Sequence, residues 1–257
     1  MGLYKTEALV LRSWKYREAD SLLTLLTKKR GKVSAIAKGV RKTSSRLRGG
    51  VQLFTHNEML LYQGRNLDIV TQSQCLEAFA TLQSNMVALA TACYWCELLD
   101  SFLPLEQKDE VVFALALAGF HLLALENSEL VVRGLEVKLL SSLGYMPVLE
   151  SCVSCGQSLQ VGEEVSFSVG LGGVLCSVCK KEGVSFFNWE ALKAWQQLQR
   201  MQLSKFNRLK ISPGGLKILS DVLEKFLLYQ LDYPLKSRHV LEEMWQVEKS
   251  QNFVFGQ

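Results

Sequence analysis

Along the first 80 residues apolar and polar positions switch over short spans, and runs rich in β-branched and aromatic residues predict strands at 6–13, 20–27, 32–38, 52–62 and 68–79. Residues 14–17 read as the loop after the first strand, Gly31 as a tight turn before the third, and 63–66 as the link between the last two. Beyond about residue 81 the spacing changes to three and four. This predicts helices at 84–103, stopped by Pro104, at 107–125, opened by Asp109 and Glu110, and at 129–143, ended by Gly144 with Pro147 soon after. Asn188 caps a helix reaching about 203, Ser212-Pro213 starts another reaching 231, and 236–247 is a short amphipathic end before a frayed tail.

The organisation that follows is multidomain α+β. Residues 1–80 form a five-stranded barrel; 81–149 and 185–247 form an all-α helical domain; 150–184 is a cysteine-bearing insertion; 248–257 is a flexible tail. A length of 257 residues suits two or three folded units, and 48% hydrophobic residues with only four prolines suit packed rather than disordered chain. The most apolar run, 111–125, has 15 residues and contains Gly119 and His121, short of the roughly 20 that a membrane span needs. The N-terminus lacks a basic-then-apolar export pattern, and Glu7 interrupts its first apolar residues. The cytoplasm, in association with the nucleoid, is the expected location, with no membrane partner.

Seven cysteines in that compartment argue against disulfides. Four form two Cys-x-x-Cys pairs, Cys152 with Cys155 and Cys176 with Cys179, separated by 20 residues. Such spacing turns two thiolates of each pair onto one tetrahedral ion, and the alternating 165–169 followed by Gly170-Leu171-Gly172-Gly173 reads as a hairpin returning the chain to the second pair. One structural zinc, closed to water, is the expectation. A reduced, metal-free quartet or a redox pair is the rival. Cys93 and Cys96, in an apolar helical stretch with no second pair near in sequence, read as buried small hydrophobes, and Cys75 stands alone in a strand.

Charge separates the two parts more than the overall +4 suggests. Residues 1–80 hold 14 Lys and Arg against 6 Asp and Glu, a net of +8, whereas the remainder is net −4. The basic residues cluster as Lys28, Lys29, Arg30 and Lys32, then as Lys38, Arg41, Lys42, Arg46 and Arg48, with no carboxylate between Asp20 and Glu58. Such density attracts polyphosphate through Coulomb force and counterion release. Five short strands of this size match an oligonucleotide-binding (OB) fold, which grips single strands with a positive groove and aromatic platforms. Trp14, Tyr16, Phe54 and Tyr62 are the candidate stackers. The first two sit beside Arg12, Lys15 and Arg17, which are candidate DNA-binding residues with them. Serine and glycine in the second run suggest a segment mobile until DNA arrives.

No catalytic set emerges. The acids of the basic part, Glu7, Glu18, Asp20, Glu58, Asp68 and Glu77, are scattered, and His56, His121 and His239 are far apart. The run 170–173 lacks the lysine and serine or threonine of a phosphate loop, so no nucleotide cofactor is expected.

Thr6-Glu7-Ala8-Leu9-Val10-Leu11, Tyr16-Arg17-Glu18-Ala19-Asp20, Thr27-Lys28-Lys29-Arg30-Gly31-Lys32, Ala37-Lys38-Gly39-Val40-Arg41, the four cysteines and Pro234-Leu235-Lys236-Ser237-Arg238 occur in this order. Together they resemble the bacterial recombination mediator family RecO over about residues 3–245. The resemblance implies an OB barrel, a helical domain and a zinc segment. It also implies a non-enzymatic role in repair: annealing complementary strands and, with RecR, helping RecA replace single-strand-binding protein. It further implies that the helical domain binds the acidic, apolar C-terminal tail of single-strand-binding protein, for which Lys236 and Arg238 can supply charge. On this reading Lys38, Arg41, Lys42, Arg46 and Arg48 centre a face that holds single- or double-stranded DNA without sequence preference, extended by Lys28, Lys29, Arg30 and Lys32. The alternative is a zinc-ribbon RNA-binding or transcription-associated factor.

Overall fold

In a computed structural model that describes the backbone of residues 2–255, with side chains through 248 and at 250, the N-terminal strands close on one another. They are β1 (Leu3–Tyr16), β2 (Asp20–Thr27), β3 (Gly31–Ala37), β4 (His56–Tyr62) and β5 (Asp68–Glu77), joined in the order β1-β2-β3-β5-β4. All neighbours are antiparallel except β3 and β5, which meet in parallel at Ala35–Asp68 and Ile36–Ile69. This is the OB barrel. β1 serves two partners because its register shifts between Val10 and Arg12, a bulge that bends the strand across both. Ala8, Val10, Leu23, Leu25, Val33, Ala35, Met59, Leu61 and Val70 fill the interior.

Several boundaries depart from the sequence reading, among them the end of β1 and the start of β4. β1 continues through Trp14, Lys15 and Tyr16, which pair with Leu22, Ser21 and Asp20, so the loop shrinks to 17–19, with Arg17 at φ 50°. β4 begins at His56 rather than 52, because Gly49–Val51 form a short 3-10 turn and Phe54 takes φ 65°.

The chain divides into two compact units. One joins the barrel with residues up to Asn127 and with the C-terminal helix from Leu235; the other is Ser128–Pro234. In the first unit, α1 (Met86–Phe102) starts where the Asn85 side chain accepts the Ala88 N–H, and α2 (Glu110–Leu125) where Asp109 accepts those of Val111 and Val112. Both helices are apolar on most faces, and the outward side of β1 is apolar too, with Leu9 and Leu11 buried outside the barrel interior. That explains why β1 reads as a continuous apolar run. Phe120 of α2 meets Phe54 and Phe79, and Phe113 meets His56. Gly119 lets α2 approach α1: a Cβ there would lie 2.6 Å from the Trp95 indole nitrogen, which donates to the Ala116 carbonyl. The last helix, α6 (Lys236–Phe255), runs beyond the expected end at 247, and its first N–H groups are held by the Glu97 carboxylate of α1.

The second unit has α3 (Glu129–Ser142), a three-stranded sheet of β6 (Val165–Ser168), β7 (Gly173–Leu175) and β8 (Ser185–Phe187) in the order β7-β6-β8, then α4 (Trp189–Arg200) and α5 (Pro213–Leu231). Phe167, Phe187, Trp195 and Phe226 pack ring against ring between sheet and helices. The hairpin read at 165–173 is present; β8 was not legible, being three residues without alternation. Among the described residues no helix is long and apolar enough to cross a membrane.

Candidate nucleic-acid interface and metal site

The second basic run leaves β3 and is fastened at both ends. Asp20 accepts the Gly39 N–H (2.7 Å), and Arg41 donates its N–H to the Ala19 carbonyl (2.9 Å) and its guanidinium to the Glu18 carbonyl (3.1 Å). Successive turns follow, with Lys42 N–H to Gly39 O and Ser45 N–H to Lys42 O. Val40 and Val51 drop into the barrel core and Leu47 packs against it. Apolar anchors separated by basic residues leave Lys38, Arg41, Lys42, Arg46 and Arg48 exposed. The segment expected to be mobile is thus a tethered chain of turns.

These turns and the end of β1 enclose a groove of about 370 Å³, in which Trp14 and Lys15 face Arg41, Arg48 and Gln52. Residues some 30 positions apart therefore share one concave surface. Lys15, Lys38, Lys42, Arg46 and Arg48 have no ion pair among the described residues. Arg17 lies over the Tyr16 ring at 5.2 Å. Trp14 is 46% exposed, whereas Phe54 is 2% exposed and packs on Phe120, so Phe54 is core and not a stacking platform. Tyr62 is exposed on β4.

The first basic run is differently placed. Lys28 pairs with Glu7 (2.6 Å), which His56 also approaches at 3.1 Å. Its hydrogen bond from Lys28, above all, holds the Glu7 carboxyl below the usual carboxylate range. Arg30 bridges Asp68 (3.0 Å) and Glu106 (2.7 Å) and covers the Tyr4 ring at 5.3 Å. Burial, and then the hydrogen bond to Asp68, push the Tyr4 phenol far up. Asp100 of α1 takes both Arg12 (2.8 Å) and Lys32 (3.0 Å). Gly31, at φ +69°, fits under the Gln107 carbonyl, where a Cβ would come within 1.9 Å, so this turn is covered by the α1–α2 connection. Lys29 alone of the group has no ion pair among the described residues. Arg12, Lys28, Arg30 and Lys32, expected to extend the DNA face, are thus engaged by acids 21 to 88 residues distant in sequence, and no local spacing signals those pairs. Arg238 is also engaged: it is 6% exposed and donates to Glu242 (2.8 Å), so it is no free surface cation.

In the second unit the two Cys-x-x-Cys pairs converge. The sulfurs of Cys152, Cys155, Cys176 and Cys179 all lie within 4.8 Å of one another, with Cys155 and Cys176 at 3.9 Å. Tetrahedral zinc at 2.3 Å from each sulfur requires sulfurs about 3.8 Å apart, so the donor set fits. The first pair bends back through Gly156 N–H to Cys152 O (2.8 Å), with Gly156 at φ +75°, and Val153 N–H to Val174 O (2.8 Å) fastens it to β7, which delivers Cys176. Burial opposes ionisation of Cys152, but N–H groups of Cys176, Cys155 and Ser154 bring its thiol down to about 6. Hydrogen bonding to Cys155 and Cys176, together with burial, pushes Cys179 up to about 12. The first thiolate forms readily and the last resists, a conflict that a bound dication removes. Among the described residues this is the only cluster of three or more His, Cys, Asp or Glu that could hold a metal ion.

The sequence model described as "Recombination protein O N terminal" matches residues 1–79, and that described as "Recombination protein O C terminal" matches 83–239. Among curated proteins, the DNA repair protein RecO of Heliobacterium modesticaldum is 38% identical over 249 residues, 95% of this chain and 91% of the relative. That of Desulforamulus reducens is 35% identical over 96% of each chain, and that of Moorella thermoacetica 36% identical over 95% of this chain and 92% of the relative. An OB barrel carrying an exposed basic groove, a convergent cysteine quartet and similarity over most of the chain lead to one conclusion: the chain belongs to the RecO family of DNA repair proteins.

Proposed function

We propose that this chain is a non-enzymatic mediator that binds single- and double-stranded DNA along the groove formed by Lys15, Arg41 and Arg48, with Lys38, Lys42 and Arg46 on its margin. The observation that carries this reading is the contrast between the two basic runs. Lys28, Arg30 and Lys32 of one are engaged by carboxylates, while the other is exposed and without an ion pair among the described residues, beside an open aromatic surface. Unpaired cations on a concave face neutralise phosphates without reading bases. Two strands neutralised on one surface repel each other less, which is the requirement of annealing.

With RecR, the same chain helps RecA replace single-strand-binding protein, whose C-terminal tail it also recognises. It works in the cytoplasm, at the nucleoid. The cysteine quartet holds one zinc ion whose four thiolates leave no open coordination position, so the ion braces the second unit and takes no part in chemistry. An annealing assay with complementary oligonucleotides, bare and coated with single-strand-binding protein, tests the function. Acceleration on coated strands is expected. Acceleration confined to RNA, or none on coated DNA, contradicts it.

A further inference from the structure

Trp14 stands between two hollows of the first unit. One is the basic groove. The other, of about 390 Å³, has Leu11, Leu53 and Phe54 of the barrel on one side and Cys93 and Cys96 of α1 on the other; its polar neighbours include Lys236, Arg12, which Asp100 holds, and Glu97, whose carboxylate accepts the first N–H groups of α6. Ser13 and Trp14 line both. Three features make the second hollow a receptor for a flat apolar ring with polar edges. Its walls are mostly aliphatic, aromatic or sulfur-bearing, and sulfur makes favourable contacts with rings. The Trp14 indole has no ring partner among the described residues and is nearly half exposed. Phe54 holds the floor at φ 65°, a strained setting for a residue with a side chain and one that concentrates at binding sites. Burial raises both thiols, Cys96 well above its ordinary value, so both sulfurs are mainly neutral and polarisable, with the half-buried Cys93 the more accessible to reagents.

We infer that the second hollow receives one unstacked base of a bound single strand, with Trp14 as the stacking wall and Ser13 and Lys236 beside the base's polar edges. This rests on the reading that DNA lies along Arg41 and Arg48, and adds a site that bases stacked inside a duplex do not reach. The hollow therefore favours single strands, whereas the basic groove by itself treats all phosphate backbones alike.

The test uses the full-length chain and two short strands of equal length and charge, one carrying thymines and one abasic throughout. The wild-type protein is expected to prefer the thymine strand by roughly 5- to 150-fold, the span that one base–aromatic stack supports. Trp14→Ala brings that preference to about twofold or less, and Trp14→Phe restores most of it. The thymine strand, but not the abasic one, protects Cys93 from alkylation by N-ethylmaleimide, read by peptide mass. Wild-type protein without preference, undiminished preference in Trp14→Ala, or Cys93 equally reactive under both strands overturns the inference. Arg41→Ala with Arg48→Ala weakens both strands alike if the groove holds the backbone. If those substitutions change neither affinity while Trp14→Ala abolishes the preference, the groove reading fails and the base site stands.

Discussion

Arg30 Nη1 lies 3.0 Å from Asp68 Oδ2, a carboxylate only 5% exposed that also accepts the Tyr4 hydroxyl. This pair ties Arg30, in one of the most basic stretches of the chain, to the barrel. Replacing Arg30 with alanine leaves Asp68 short of its charged partner, at a cost of about 1.5–3 kcal/mol in unfolding free energy by urea titration. The folded variant is expected to keep its DNA affinity within about twofold of the parent. A large loss of affinity with unchanged stability would place Arg30 on the DNA surface after all.

Gly119→Ala tests the packing of α1 on α2. The added methyl meets the Trp95 indole at 2.6 Å, and ring and helix must separate. Overpacking of this kind costs about 1–3 kcal/mol, expected as a lowered thermal midpoint, with reduced burial of Trp95 visible in its fluorescence.

Acid should loosen the barrel partly through Glu7. Lys28 depresses the folded-state pKa of this carboxyl below its unfolded value. Its contribution is therefore fully present above the unfolded pKa, near 4.3, and is lost as pH falls through the folded pKa. Glu7→Gln is expected to flatten the fall in stability below about pH 5 while lowering stability at neutral pH. An unaltered acid limb would show that Glu7 carries none of it.

Metal removal bears on the second unit. Freshly purified protein is expected to contain about one equivalent of zinc, and Cys152→Ser less than half of that. Chelation should expose Trp195 and lower the melting transition, because the first pair, β7 and the aromatic cluster are continuous through Val153–Val174 and Phe167–Trp195. A metal-free protein with an unchanged melt contradicts a structural role.

Much of this was legible in the sequence because the signals were local. Alternation located five strands, Asn188 and Ser212 announced their helices by capping, and the spacing of four cysteines anticipated their convergence. What escaped depended on distance. Trp14–Tyr16 read as loop because the charges at Lys15 and Arg17 masked a ladder to Ser21 and Leu22. Arg12 and Lys32 read as DNA ligands because nothing near them in sequence discloses Asp100. Phe54 looked like a platform until Phe120 covered it. Charge density identified a basic domain, but only the fold tells which cations are already occupied.

The central claim, that DNA is held by the second basic run and not the first, is tested most directly by the salt dependence of single-strand affinity. For Arg41→Ala, Lys42→Ala and Arg48→Ala combined, the slope of log affinity against log salt is expected to fall by about 0.7 for each phosphate contact removed, a total near 2. Lys28→Ala with Lys32→Ala should leave it unchanged. A slope that moves with Lys28 and Lys32 and ignores Arg41, Lys42 and Arg48 contradicts the account.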